Sequence, residues 1–106
     1  MANVNIQANQ KVLVTANPKD SGNNATTDFF NGPEWSTTDS ALVTLSAAGF
    51  SPTCEVAAKG IPGVATIKIK AQVNPGGVVK ETTFTVTILA GPLDHFDPTF
   101  GTPVAI

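Results

Sequence analysis

Val64-Ala65-Thr66-Ile67-Lys68-Ile69-Lys70-Ala71-Gln72 decides the fold class of this chain. Ala65, Ile67, Ile69 and Ala71 fall on one side, opposed by Thr66, Lys68, Lys70 and Gln72. That is the period of 2 of a strand with one face in a core and the other in water. Gly63 opens the run, and Asn74-Pro75-Gly76-Gly77 follows it with residues that reverse a chain. Thr82–Leu89 repeats the alternation, with Phe84, Val86 and Ile88 toward the core and Thr83, Thr85 and Thr87 toward solvent. The two runs are expected to pair as a hairpin.

Toward the N-terminus the same reading recurs in shorter pieces. Val4, Ile6 and Ala8 alternate with Asn3, Asn5 and Gln7, and Lys11–Ala16 (KVLVTA) is a second β-rich run. Asn17-Pro18-Lys19-Asp20-Ser21-Gly22-Asn23-Asn24 ends it, dense enough in turn formers to be a long exposed loop. Asn31-Gly32-Pro33 reads as a turn, and Trp35 follows it on a central strand. Ala41–Ser46, closed by Ala47-Ala48-Gly49, places Val43 and Leu45 on one face. Thr53–Ala58 places Cys54 and Val56 inward. No window carries a 3.6-residue apolar stripe with capping signals, so no useful helix is expected. Seven short strands divided by turns indicate an all-β protein, a two-sheet antiparallel β-sandwich at the immunoglobulin-like strand count. The Pro18–Asn24 loop suits a crossover between sheets better than the tight meander of a small barrel.

Composition agrees. Hydrophobic residues are 42% of the 106, enough for one core, while charged residues are 13%, about half the usual globular share. The surface must therefore be Thr, Ser, Asn and Gly, which suit strands and turns. A net charge of -2 with only 6 Lys and Arg offers no footprint for phosphate backbones, so no nucleic-acid partner is expected. Met1–Ile6 lacks the basic and apolar regions of a secretory signal, and no apolar run approaches the roughly 18 residues of a membrane helix. No membrane insertion is expected. Cys54 is the sole cysteine, so no internal disulfide can form.

Trp35-Ser36-Thr37-Thr38-Asp39-Ser40-Ala41-Leu42-Val43-Thr44-Leu45 resembles the W-S-S-S-D-P-S-V-A-T-V signature of bacterial immunoglobulin-like domains. Gly49, Ala57-Ala58-Lys59-Gly60, Pro62-Gly63-Val64-Ala65-Thr66-Ile67 and Thr85-Val86-Thr87-Ile88 resemble later segments of that family in the same order and at similar spacing. Asp20, Gly22-Asn23 and Asp28 resemble a D-x-x-G-N-x-A loop of small phage or prophage-borne variants. The resemblance covers about Val4 to Leu89. It implies a sandwich with Trp35 as the anchor between sheets, its indole N–H requiring a partner. It also implies that Ser36–Asp39 turn the chain by bonding to their own backbone. The insertion Asn74–Val79 and the pair Phe29-Phe30 depart from the pattern.

No residue set assembles a catalytic site. His95 is the only histidine, in Asp94-His95-Phe96-Asp97, and no G-x-S-x-G motif accompanies it. That cluster lacks EF-hand or zinc spacing and reads as a solvated segment between Pro92 and Pro98. Asp20, Asp28 and Asp39 could cluster as cation ligands at one end of the sandwich, although turn chemistry accounts for each separately. Cys54 reads as an inert buried thiol. Asn24-Ala25-Thr26 fits a glycosylation sequon, which matters only in a secretory host. Phe29, Phe30, Phe96 and Phe100 invite sugar stacking, against a plain role for Phe29 and Phe30 at the core edge.

The expected organisation is a sandwich over residues 1–90 followed by an extended Gly/Pro-rich segment over 91–106, docked or linking. That segment is too apolar for a purely flexible linker, and it is expected to pack along its own sandwich or add to a neighbouring sheet edge. The expected function is a non-catalytic structural or assembly module of a phage particle or bacterial surface, acting through protein partners or self-association. The alternative is a carbohydrate- or host-surface-binding module using the end loops. No cofactor or metal is expected, and the location is a virion or the cell exterior. Phe29, Phe30, His95, Phe96 and Phe100 are the candidate interaction residues, with Trp35 the core anchor.

Overall fold

A computed structural model of the chain describes residues 2–47, 50–73, 75 and 77–106. Seven strands fill it: β1 (Ala2–Gln7), β2 (Lys11–Thr15), β3 (Asn31–Thr37), β4 (Val43–Ser46), β5 (Thr53–Ala58), β6 (Gly63–Gln72) and β7 (Val79–Leu89). The described residues contain no helix. Four strands form one sheet in the order β1-β7-β6-β3, and three form the other in the order β2-β5-β4. The fold is an all-β sandwich.

The alternation read from the sequence sets the packing. β6 and β7 pair antiparallel from Gly63↔Ile88 to Gln72↔Val79, so Ala65, Ile67, Phe84, Val86 and Ile88 share one face. With Ile6, Val43, Cys54 and Val56 they make the buried core, drawn from both sheets. Burying such a side chain contributes about 1.5–3 kcal/mol for each Val, Ile or Phe. Trp35 lies half-buried against this core, its ring edge-on to Phe84 at 83° with centroids 6.3 Å apart. Its indole Nε1–H donates to the Ser51 carbonyl at 2.8 Å, which supplies the required partner.

Five local readings are corrected. Trp35 lies on β3, which pairs only with β6 at the edge of the four-stranded sheet, and not on a central strand. The sandwich is not wholly antiparallel, because β1 pairs parallel with β7 from Ala2↔Phe84 to Gln7↔Leu89. The turn at Ala8–Gln10 carries the chain from the four-stranded sheet into β2 of the other, so β1 takes the free edge beside β7 and does not form a hairpin with β2. Asn31-Gly32-Pro33 is the start of β3 and not a turn; the register against β6 shifts between Asn31 and Glu34, as a bulge does where Pro has no N–H for the ladder. Ala41 and Leu42 lie in a turn before β4, where the N–H groups of Leu42 and Val43 bond to the Asp39 carbonyl. Asp39 itself reaches further than its own turn: its carboxylate accepts the Thr66 N–H at 2.8 Å and pins that turn to β6. Of the expected turns, Ala48, Gly49, Asn74 and Gly76 lie outside the described residues.

The two sheets differ in length. β6 and β7 run for 10 and 11 residues, against 5, 6 and 4 for β2, β5 and β4. At the end where β2 finishes at Thr15 opposite Thr53, the four-stranded sheet projects past its partner. The long crossover, 16–30, bridges that end, leaving β2 in one sheet and entering β3 in the other.

Candidate functional site

The projecting inner face forms a groove of about 540 Å³. In strand phase with the core, Ile69 pairs with Thr82 and Ala71 with Lys80, and these four continue the inner face beyond the shorter sheet. Phe29 and Pro18 from the crossover form the opposite wall. Lys19, Lys70 and Lys80 rim it, with Asp28 and Glu81. Lys70 stands 3.9 Å from Glu34, whereas Lys19 and Lys80 make no ion pair among the described residues.

The crossover holds its shape by local bonds. The Asp20 carboxylate accepts the N–H groups of Gly22 and Asn24, each at 2.9 Å, and the Asn24 side-chain amide. The Asn24 backbone bond, ahead of that residue's side chain and Gly22, holds the Asp20 carboxyl below its ordinary range. Asn23 sits at φ 63°, and a bridge joins Lys19 to Ala25. Asn24, the sequon residue, thus uses its amide inside the loop.

The candidate residues separate. Phe29 is half-buried in the groove wall, and Phe30 is exposed, its N–H donating to the Gln72 carbonyl as an extension of the β3 ladder. Asp20 and Asp28 lie at the groove end, and Asp39 lies by Thr66 toward the other end, so the three do not form one cluster. Among the described residues no three His, Cys, Asp or Glu side chains gather as metal ligands. Cys54 is buried, and that burial pushes its thiol up from its ordinary value. No helix among the described residues is long and apolar enough to cross a membrane.

Residues 91–106 lie away from the groove. The Ala8 N–H bonds to the Leu89 carbonyl at the far end of β7, and from there the chain leaves the sandwich fully exposed, with no secondary structure. The molecule measures 78 Å along its longest axis against 24 and 23 Å across. Leu93, Phe96, Phe100 and Val104 are 73 to 89% exposed. His95 is bracketed by acids, Nδ1 at 2.9 Å from Asp94 and Nε2 at 3.3 Å from Asp97. The segment does not pack along its own sandwich.

Sequence reasoning found the aromatic residues but missed Ile69, Ala71 and Lys80 as groove residues. Their alternation marks an inner face; only the shorter partner sheet leaves that face uncovered. A second, smaller groove of about 220 Å³ lies beside Phe50, Glu34 and Val79, and no pattern in the sequence announces it. No protein-family model matches the chain, and no curated protein does.

Proposed function

We infer that this chain is a non-catalytic immunoglobulin-like assembly module of a phage particle or bacterial surface, working through protein–protein contacts. One observation carries the reading: large apolar side chains stand in water along 91–106 while the sandwich covers its own core. Exposed apolar surface on that scale marks a contact waiting for a partner. Two further features support it. The order β2-β5-β4 facing β3-β6-β7 corresponds to the B-E-D and C-F-G strands of immunoglobulin sandwiches, with the first strand moved to the other sheet's edge. The signature residues Trp35 and Asp39 each hold a long-range bond.

Sedimentation velocity over a concentration series tests it. The chain should associate as concentration rises, and Phe96→Asp with Phe100→Asp should weaken that association without unfolding the domain. A monomer at every concentration would sink the reading. The alternative, attachment to glycans or host surfaces, draws on Phe30 and Phe50, which stand exposed on the body of the sandwich. Glycan-array binding that Phe30→Ala abolishes would favour it.

A further inference from the structure

We propose that residues 92–106 of one copy occupy the groove of a second copy, so that the copies join head to tail. The proposal rests on the assembly reading above and names its partner and surface.

Three observations converge. The segment and the groove lie at opposite ends of the sandwich: Thr82 lines the groove, and β7 climbs from there to Leu89, about 24 Å at a strand's rise per residue. The segment leaves at Leu89 heading outward, and its extended reach of about 50 Å carries it clear of its own body. Its chemistry matches the groove. Leu93, Phe96, Phe100 and Val104 lack apolar cover, and Ile69, Ala71, Pro18 and Phe29 form an apolar lining of about 540 Å³, a volume suited to one or two large side chains with their backbone. The charges also complement each other. Asp94 and Asp97, which bracket His95, are the acids of the segment, and on the rim the two cations without an ion pair among the described residues, Lys19 and Lys80, outnumber the one such acid, Asp28.

The geometry has a consequence for symmetry. Donor and acceptor surfaces differ, so the contact is heterologous, and repetition gives a ring if the rotation closes or an open chain if it does not.

The test uses the full chain. Phe100→p-benzoylphenylalanine is introduced, and natural-abundance and 15N-labelled protein are mixed before irradiation. The expected products are mixed-isotope pairs linked from position 100 to Pro18, Phe29, Val73 or Lys80. Independently, Lys19→Glu with Lys80→Glu should weaken self-association about tenfold, the sum of two modest ion pairs. Adding Asp94→Lys and Asp97→Lys should restore it, which a folding defect could not do. Same-isotope links only, links mapping away from the groove, or absence of charge-swap rescue would each overturn the proposal. Association that survives Phe96→Asp with Phe100→Asp would reject this contact yet leave assembly through another surface; a chain monomeric throughout would reject both.

Discussion

Gly32 and Asp39 show how much single residues contribute to this fold. A Cβ on Gly32 would sit 2.7 Å from the Ala71 Cβ and 2.9 Å from the Lys70 carbonyl oxygen, and its φ is +120°. Both neighbours belong to β6, so neither can yield cheaply. Gly32→Ala should therefore destabilise the domain by about 2–4 kcal/mol, combining backbone strain with overpacking. Urea unfolding followed by Trp35 fluorescence would measure it. Asp39→Ala removes the acceptor of the Thr66 N–H and should cost about 1–2 kcal/mol, with Asp39→Asn recovering part because it keeps an oxygen at that place. Equal losses for the two variants would show that the bond is not the cause. Cys54, buried with its thiol pushed up by burial, should react with a thiol reagent only as fast as the domain opens.

At the scale of elements, the crossover and the unequal sheets matter most. The Asp20 carboxyl is held below its ordinary value near 3.8, chiefly by the Asn24 backbone bond. A group depressed on folding contributes its stability above the unfolded value and loses it as pH falls through the folded one. The Asp20–Asn24 loop should thus stay closed through neutral and mildly acid solution and loosen only below pH 3.8. Amide exchange at Gly22 and Asn24 would report it, and Asp20→Asn should loosen the loop at neutral pH. The strand-length mismatch has a similar logic. β6 and β7 outrun β5 and β2, and the inner-face residues in the overhang meet a loop and not a sheet.

For the whole molecule, the segment dominates the dimensions. The radius of gyration is 19.8 Å, whereas a compact chain of this length has about 13 Å. Small-angle scattering on dilute protein should give the larger value, and removal of 91–106 should bring it near 12 Å, the size of a compact chain of the remaining length. Because Phe96 and Phe100 touch no core residue, changing both to Asp should alter unfolding stability by no more than about 0.5 kcal/mol. A larger loss would mean that the segment docks on its own sandwich in solution.

The sequence by itself determined the presence of seven strands and the inward faces of β6 and β7. Alternation is a local property, and the burial of Ala65, Ile67, Phe84, Val86 and Ile88 follows from it wherever the strands pair. Turn chemistry likewise placed the Asn17–Asn24 part of the crossover in a loop, and the apolar character of 91–106 was legible residue by residue. Gly32-Pro33 misled, since the same residue types serve turns and bulges and only the neighbouring strand decides between them. Tertiary structure alone decided that β1 runs parallel to β7, that Asp39 reaches Thr66, and that Asp39 lies apart from Asp20 and Asp28. It alone decided the groove as well. That surface exists because two sheets of unequal length overlap incompletely, and no stretch of one strand records how far its partner sheet extends.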